Sequence, residues 1–205
     1  LQEVEALGIT VVIMNSEIEG FDPFCYVSSD YVKGGRTAAG LMHLLSAGRH
    51  LNLVMFRGAP FMMSHRQRHQ GFIDELKALG TKYSVIDSLE ITSDANVAYR
   101  KAKQLLADHP QVDAAFTAAG SVISVCQAIK DLGLEHKIIH ISFDLTESSR
   151  PRLQEGSLTV AIGQEAYRQG YLSLKILFDY LACDIKPENQ WILTHNEIFI
   201  RQNAL

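Results

Sequence analysis

Short β-branched or apolar runs alternate with amphipathic helical stretches along the whole chain, and this alternation restricts the fold more than any other feature. Strands are predicted over residues 9–14, 24–28, 51–56, 83–87, 114–117, 137–142, 158–162 and 192–199. Between them Ala38, Leu41, Met42 and Leu45 follow the i, i+3, i+4, i+7 spacing of one helix face, with Gly48 placed to end that helix. Phe72, Leu76 and Leu79 repeat the pattern before Gly80; Ala98, Ala102 and Leu105 before Pro110; and Val122, Val125, Cys126, Ile129 and Leu132 before Gly133. Tyr167, Tyr171, Leu174, Phe178 and Leu181 mark one long final helix. Continuous apolar strands in this order predict an α/β fold with parallel sheets covered by helices on both faces.

At 205 residues the chain can bury a sizeable core, as one large domain or two small ones. Its 19 Lys and Arg oppose 23 Asp and Glu for a net charge of −4, and no basic stripe is present, so the chain itself is a poor nucleic-acid binder. Cys25, Cys126 and Cys183 are odd in number and far apart, with no C-x-x-C pair, which predicts free thiols and a cytoplasmic location. No apolar run is long enough to span a bilayer, and no secretory signal opens the sequence.

Open parallel sheets bind ligands outside the carboxyl ends of their strands. Those positions hold Asn15 and Ser16, Arg57 to Pro60, Asp87 and Ser88, Ala118 to Gly120, Phe143 and Asp144, and Gly163 and Gln164. The set is polar but lacks the machinery of catalysis. His65 and His69 have metal-ligand spacing, but Arg66 and Arg68 beside them would repel a cation, so two solvated histidines and no metal are expected. The turn at Gly58 and Pro60 carries no phosphate-loop motif, no G-x-S-x-G elbow exists, and no cofactor is expected. A binding protein, not an enzyme, is the expectation.

Arg66 and Arg68, two positions apart, diverge by roughly 200° around a helix, so only one can face a cleft. Asp144 and Gln164 put a carboxylate and an amide at strand ends, where they can bridge adjacent hydroxyls of a small polar ligand; Asp144 could equally cap a helix beginning near Thr146.

Five segments in order carry a resemblance. V-S-S-D-Y-V-K-G-G-R-T-A-A at residues 27–39, R-x-R-x-x-G-F at 66–72, I-S-F-D at 141–144, I-G-Q-E-A-Y-R-Q-G at 162–170 and the closing I-F-I-R-Q-N-A-L resemble the ligand-binding domain of lactose-repressor-type (LacI) regulators and periplasmic ribose-binding proteins. That resemblance implies two Rossmann-like lobes joined by three crossovers, with a ligand closed between them. Residues 1–49 and 163–184 would form a partial first lobe, and 50–162 and 188–205 the second, with crossovers near 49–50, 162–163 and 184–188. The start of the first lobe has no counterpart here.

Carried over by position, the resemblance names Asn15, Ser16, Arg68, Asp144 and Gln164 as sugar contacts. The family's Asn-Asp pair after the strand ending near Thr117 is replaced by Ala119 and Gly120, so one polar contact is missing. The function implied is the effector-binding domain of a cytoplasmic regulator, a homodimer that would meet operator DNA through an N-terminal helix-turn-helix absent from this chain. The alternative is the solute-binding component of a sugar transporter.

Overall fold

A computed structural model describes residues 2–91 and 94–204. The outermost residues of the expected lobes, Leu1 and Leu205, lie outside the described residues. In chain order the elements are α1 (Gln2–Ala6), β1 (Val12–Met14), β2 (Cys25–Ser29), α2 (Tyr31–Ser46), β3 (Leu51–Arg57), α3 (Met63–Ala78), β4 (Tyr83–Glu90) and α4 (Ala95–Asp108). Then follow β5 (Ala114–Thr117), α5 (Val122–Asp131), β6 (Ile139–Phe143), α6 (Arg150–Glu155), β7 (Val160–Gly163), α7 (Ala166–Cys183), β8 (Trp191–Thr194) and β9 (Glu197–Phe199). The chain is α/β, with its sheets parallel except where β9 pairs antiparallel with β7.

The fold divides into two compact units. The smaller comprises Leu1–Asp30 and Gln164–Asn196, the larger Tyr31–Gly163 and Glu197–Leu205. In the smaller unit a three-stranded sheet, β1-β2-β8, is packed by α7 through Cys25, Val27 and Ile176.

The larger unit is built on a six-stranded sheet of order β4-β3-β5-β6-β7-β9. Period-2 alternation sends Leu53 and Met55 of β3 to one face, where α2 and α3 contribute Ala38, Met42, Phe72 and Leu76. Val54 and Phe56 go to the other, where α4 and α5 contribute Ala98, Leu105, Val125 and Ile129. Asp94 caps α4, its carboxylate accepting from the Asn96 and Val97 amides at 2.9 and 3.0 Å.

Two expected crossovers are corrected. The first lies between Asp30 and Tyr31, not near 49–50, because the apolar face of α2 packs on β3 and α3 and carries the helix into the larger unit. The last lies between Asn196 and Glu197, not near 184–188, because β8 pairs with β2 in the smaller sheet. The single strand expected over 192–199 is therefore two, in different sheets, separated at His195 and Asn196. The middle crossover falls between Gly163 and Gln164.

Candidate functional site

In the larger unit α2 and α3 approach so closely that side chains are excluded at two points. A Cβ on Gly35 would collide with the Arg68 carbonyl oxygen and lie 2.9 Å from the Phe72 nitrogen; one on Gly71 would collide with the Val32 carbonyl. This packing fixes the register of α3 and directs Arg68 inward. Arg68 is only 5% exposed, whereas Arg66 is exposed.

A buried guanidinium needs partners that replace water. Arg68 donates from Nη1 to the Ala118 carbonyl at 3.1 Å, just beyond β5. Its Cζ lies 4.1 Å from the Phe143 ring centroid and 5.1 Å from that of Tyr31, both within cation–π range. Burial lowers the Arg68 pKa, while Asp144 and Tyr31 act to raise it. Phe143 is itself braced by Phe116, which stacks on Phe72 with centroids 3.9 Å apart.

Asp144 follows β6 directly, is half-buried and has φ 67°. Its amide donates to the Ile162 carbonyl at 2.9 Å, which holds it at the sheet end. The alternative reading, in which Asp144 caps a helix beginning near Thr146, is not met. The helix there is α6, beginning at Arg150, and the Ser149 hydroxyl donates to the Asp144 carbonyl. Arg68 and Asp144 are thus two sequence-named residues that the fold brings together, a planar cation and a carboxylate beside aromatic faces.

The other three belong to the smaller unit. Asn15 follows β1, is exposed and has φ 71°; its amide donates to the Val27 carbonyl at 2.9 Å and its carbonyl accepts from the Tyr26 hydroxyl at 2.6 Å. Asn and Asp tolerate left-handed backbone better than most residues, and such conformations concentrate at functional sites. Ser16 is half-buried in the turn that follows. Gln164 is nearly buried, its side-chain oxygen accepting from the Ser29 hydroxyl at 3.2 Å. Its carbonyl accepts from Gln169 Nε2 and the Thr194 hydroxyl, both at 2.8 Å. Sequence reasoning missed Tyr31 and Ser29, although both lie in the V-S-S-D-Y segment that carried the resemblance.

Several other polar groups are structural. His140 is fully buried: Nδ1 faces the Ser157 carbonyl at 2.9 Å and so carries the proton, leaving Nε2 to accept from the Thr117 hydroxyl at 2.9 Å. Burial depresses its pKa to about 4. The expectation of two solvated histidines on α3 is corrected, because His65 and His69 are half-buried. His65 Nδ1 and His69 Nε2 are sealed from solvent without hydrogen bonds among the described residues, and burial lowers both pKa values. Gly58 makes room for the His65 ring, which a Cβ there would strike. All three cysteines are free, Cys25 and Cys126 buried and Cys183 exposed, and burial pushes the Cys126 thiol up to about 12.

A model of the periplasmic binding protein domain matches residues 1–184 of the chain. The chain belongs to that family. Among relatives of this periplasmic binding protein domain is the ribose import binding protein RbsB of Bacillus subtilis, 24% identical over 182 residues that cover 88% of this chain. The chain spans 58% of that relative's length. Its fold is similar to a solute-binding protein from Agrobacterium vitis bound with α-D-tagatopyranose, with TM-score 0.87 and 22% identity over 99% of this chain and 70% of that one. It is equally similar to a candidate LacI transcriptional regulator from Bacteroides fragilis, with TM-score 0.86 and 20% identity over 98% of this chain and 70% of that one. These periplasmic-binding-type relatives are named as binding or regulatory proteins. No described helix is long and apolar enough to cross a membrane.

Proposed function

We propose that the chain binds a sugar or related polyol, with Arg68 and Asp144 as contacts from the larger unit and Asn15, Ser16 and Gln164 as contacts from the smaller. The observation that carries this reading is the Arg68 arrangement: a buried guanidinium over Phe143 and Tyr31 with Asp144 beside it. The guanidinium donates in a rigid plane and the carboxylate accepts from neighbouring hydroxyls, a division of labour that suits vicinal diols. The named binding partners of the relatives point the same way.

Within that reading the chain serves as the effector-binding domain of a LacI-type regulator, a homodimer acting on operator DNA through a helix-turn-helix outside these residues. The free, partly buried cysteines favour this setting and a cytoplasmic one. A transport role, as the solute-binding component of a sugar importer, is favoured instead by the ribose import relative.

A thermal-shift screen of sugars, polyols, amino acids and nucleobases tests the ligand class. A bound ligand stabilises the folded state by about 2.7 kcal/mol at a hundredfold excess over Kd, a clear shift in Tm. Amino acids or nucleobases raising Tm while every sugar and polyol left it unchanged would sink the assignment. Reading the coding sequence upstream of Leu1 separates the two roles: a helix-turn-helix segment supports regulation, and an export signal supports transport.

A further inference from the structure

The larger unit carries a cavity at the end of its sheet opposite to Asp144. Because β9 runs antiparallel to β7, the residues leaving β9, Ile200 to Gln202, sit beside the amino ends of β6 and β7. Between them and the end of α6 the chain leaves a space of about 350 Å³. Ile138, Leu153 and Leu158 line it as buried residues, with the more exposed Ile139 and Ile200 beside them. One wall is built by a close approach: His136, at φ 61°, donates its amide to the Gly156 carbonyl at 3.2 Å, and its ring lies where a Cβ on Gly156 would strike it. Asp144 follows the far end of β6, about 16 Å from Ile139 at the rise of a strand.

The polar groups at this cavity differ in how far they are committed. The Thr159 hydroxyl accepts from the His140 amide at 3.0 Å and donates to the Ile138 carbonyl at 3.4 Å. The Arg201 guanidinium is exposed and makes no hydrogen bond or ion pair among the described residues; only the Arg201 carbonyl is engaged, by Gln154 Nε2 at 2.8 Å. The His136 and Gln202 side chains at the edge are likewise unpaired among the described residues. No carboxylate among the described residues lines the cavity, and Glu155 at the end of α6 is already held by Arg152 and Lys130 at 2.7 Å each.

Apolar walls with one free cation at the mouth select a ligand with an apolar body and one anionic end. A sugar here would set hydroxyls against Ile138, Leu153 and Leu158 without partners, and an amine would meet Arg201 with like charge. A carboxylate instead presents two oxygens to the planar guanidinium. The volume falls at the low end of the range for small-molecule pockets, roughly 300–1,000 Å³, which suits a short alkyl chain or a single aryl ring.

We propose that this cavity is a binding site for a small alkyl or aryl carboxylate, with its apolar body against Ile138, Leu153 and Leu158 and its carboxylate on Arg201. The site stands apart from Arg68 and Asp144 and does not depend on what they bind.

The test is titration of the chain with hexanoate and benzoate, each against its matched alcohol, 1-hexanol and benzyl alcohol, followed by methyl NMR. The acids are expected to shift the Ile138, Leu153, Leu158 and Ile200 methyl resonances and to bind about tenfold or more tightly than the alcohols, the gain from one charge-assisted contact. Arg201→Gln, at an exposed side chain with no partner to lose, should bring each acid down to the affinity of its alcohol. Ile200→Trp, at a position 40% exposed, should fill the mouth and weaken acid and alcohol alike. Alcohols binding as tightly as acids would overturn the carboxylate class. Shifts confined to the exposed Leu174 and Leu181 of α7 would mean that the acids coat an apolar surface, and would overturn the site. Affinity lost in Arg68→Ala and kept in Arg201→Gln would place the acid at Arg68 and overturn it too, as would the absence of any shift with either acid.

Discussion

The backbone of Gly35 rests against the carbonyl of Arg68, so that helix packing and ligand chemistry meet at one contact. Gly35→Ala forces α2 and α3 apart and shifts the guanidinium from Ala118 and Phe143. Overpacking of this kind costs about 1–3 kcal/mol, so urea unfolding should show a lowered midpoint, and any ligand affinity should fall with it. Gly40 on the same helix is the control: a Cβ there meets nothing within 4 Å, and Gly40→Ala should stabilise by about 0.5–1 kcal/mol. Equal behaviour of the two variants would show that the close approach does not hold Arg68 in place.

Arg68→Ala and Asp144→Ala should each lower ligand affinity by about tenfold to a hundredfold, the range for losing one charge-assisted contact. Arg66→Ala, at an exposed position on the same helix, should be nearly silent. Arg68→Lys should behave more like Arg68→Ala than like the native protein, because an ammonium does not reproduce a planar fork lying over two rings. Calorimetry showing Arg66 to be the critical arginine would refute the site.

The path from sequence to this site was partly legible. Strand and helix periodicities placed most elements, because each face repeats locally. Spacing alone established only that Arg66 and Arg68 diverge; the buried one was picked out by resemblance. The boundary between Asp30 and Tyr31 was not legible, since Ala38 and Met42 make an apolar face that either sheet could have covered. Long-range approaches, Gly35 to Arg68 and Val32 to Gly71, commit α2 to the larger unit, and no local pattern encodes them. The apolar run at 192–199 likewise hid a sheet change, marked only at His195, whose amide donates to Glu165 at 2.7 Å. The place of Tyr31 over Arg68 depends on that same packing.

His140 gives the fold a pH signature. The folded protein holds the ring neutral down to about pH 4, whereas the unfolded chain protonates it near 6.5, so unfolding takes up a proton between those values. Stability from this group is complete above pH 6.5, falls as pH drops through the window by about 3 kcal/mol in all, and levels off below pH 4. His65 and His69, also lowered by burial, act in the same direction. Urea midpoints from pH 8 to 4 on the order of unit steps, with NMR titration of the ring protons, check the assignment. A His140 resonance titrating near 6.5 would contradict the buried neutral ring.

Among the described residues, the smaller unit carries an apolar face that none of its own strands covers. Tyr167, Tyr171, Leu174, Phe178 and Leu181 recur every three or four residues along α7 and are 55–89% exposed, while Ile176 on the opposite side packs against β2. Beside it β1 forms the open edge of a three-stranded sheet. A long apolar stripe next to an unpaired strand edge favours association. The chain should therefore sediment with increasing mass as its concentration rises. The double variant Leu174→Glu, Phe178→Lys should shift it toward the monomer without loss of helicity, since the new pair has favourable i, i+4 order. Hydrogen exchange should be faster at Val12–Met14 than in β3, where Leu53, Val54 and Phe56 are wholly buried. Sedimentation as a monomer at all concentrations, with equal protection of the two strands, would mean that the stripe and the edge are inert. The smaller unit would then be stable on its three strands and two helices, with Ile176 and Val27 supplying enough core without further cover.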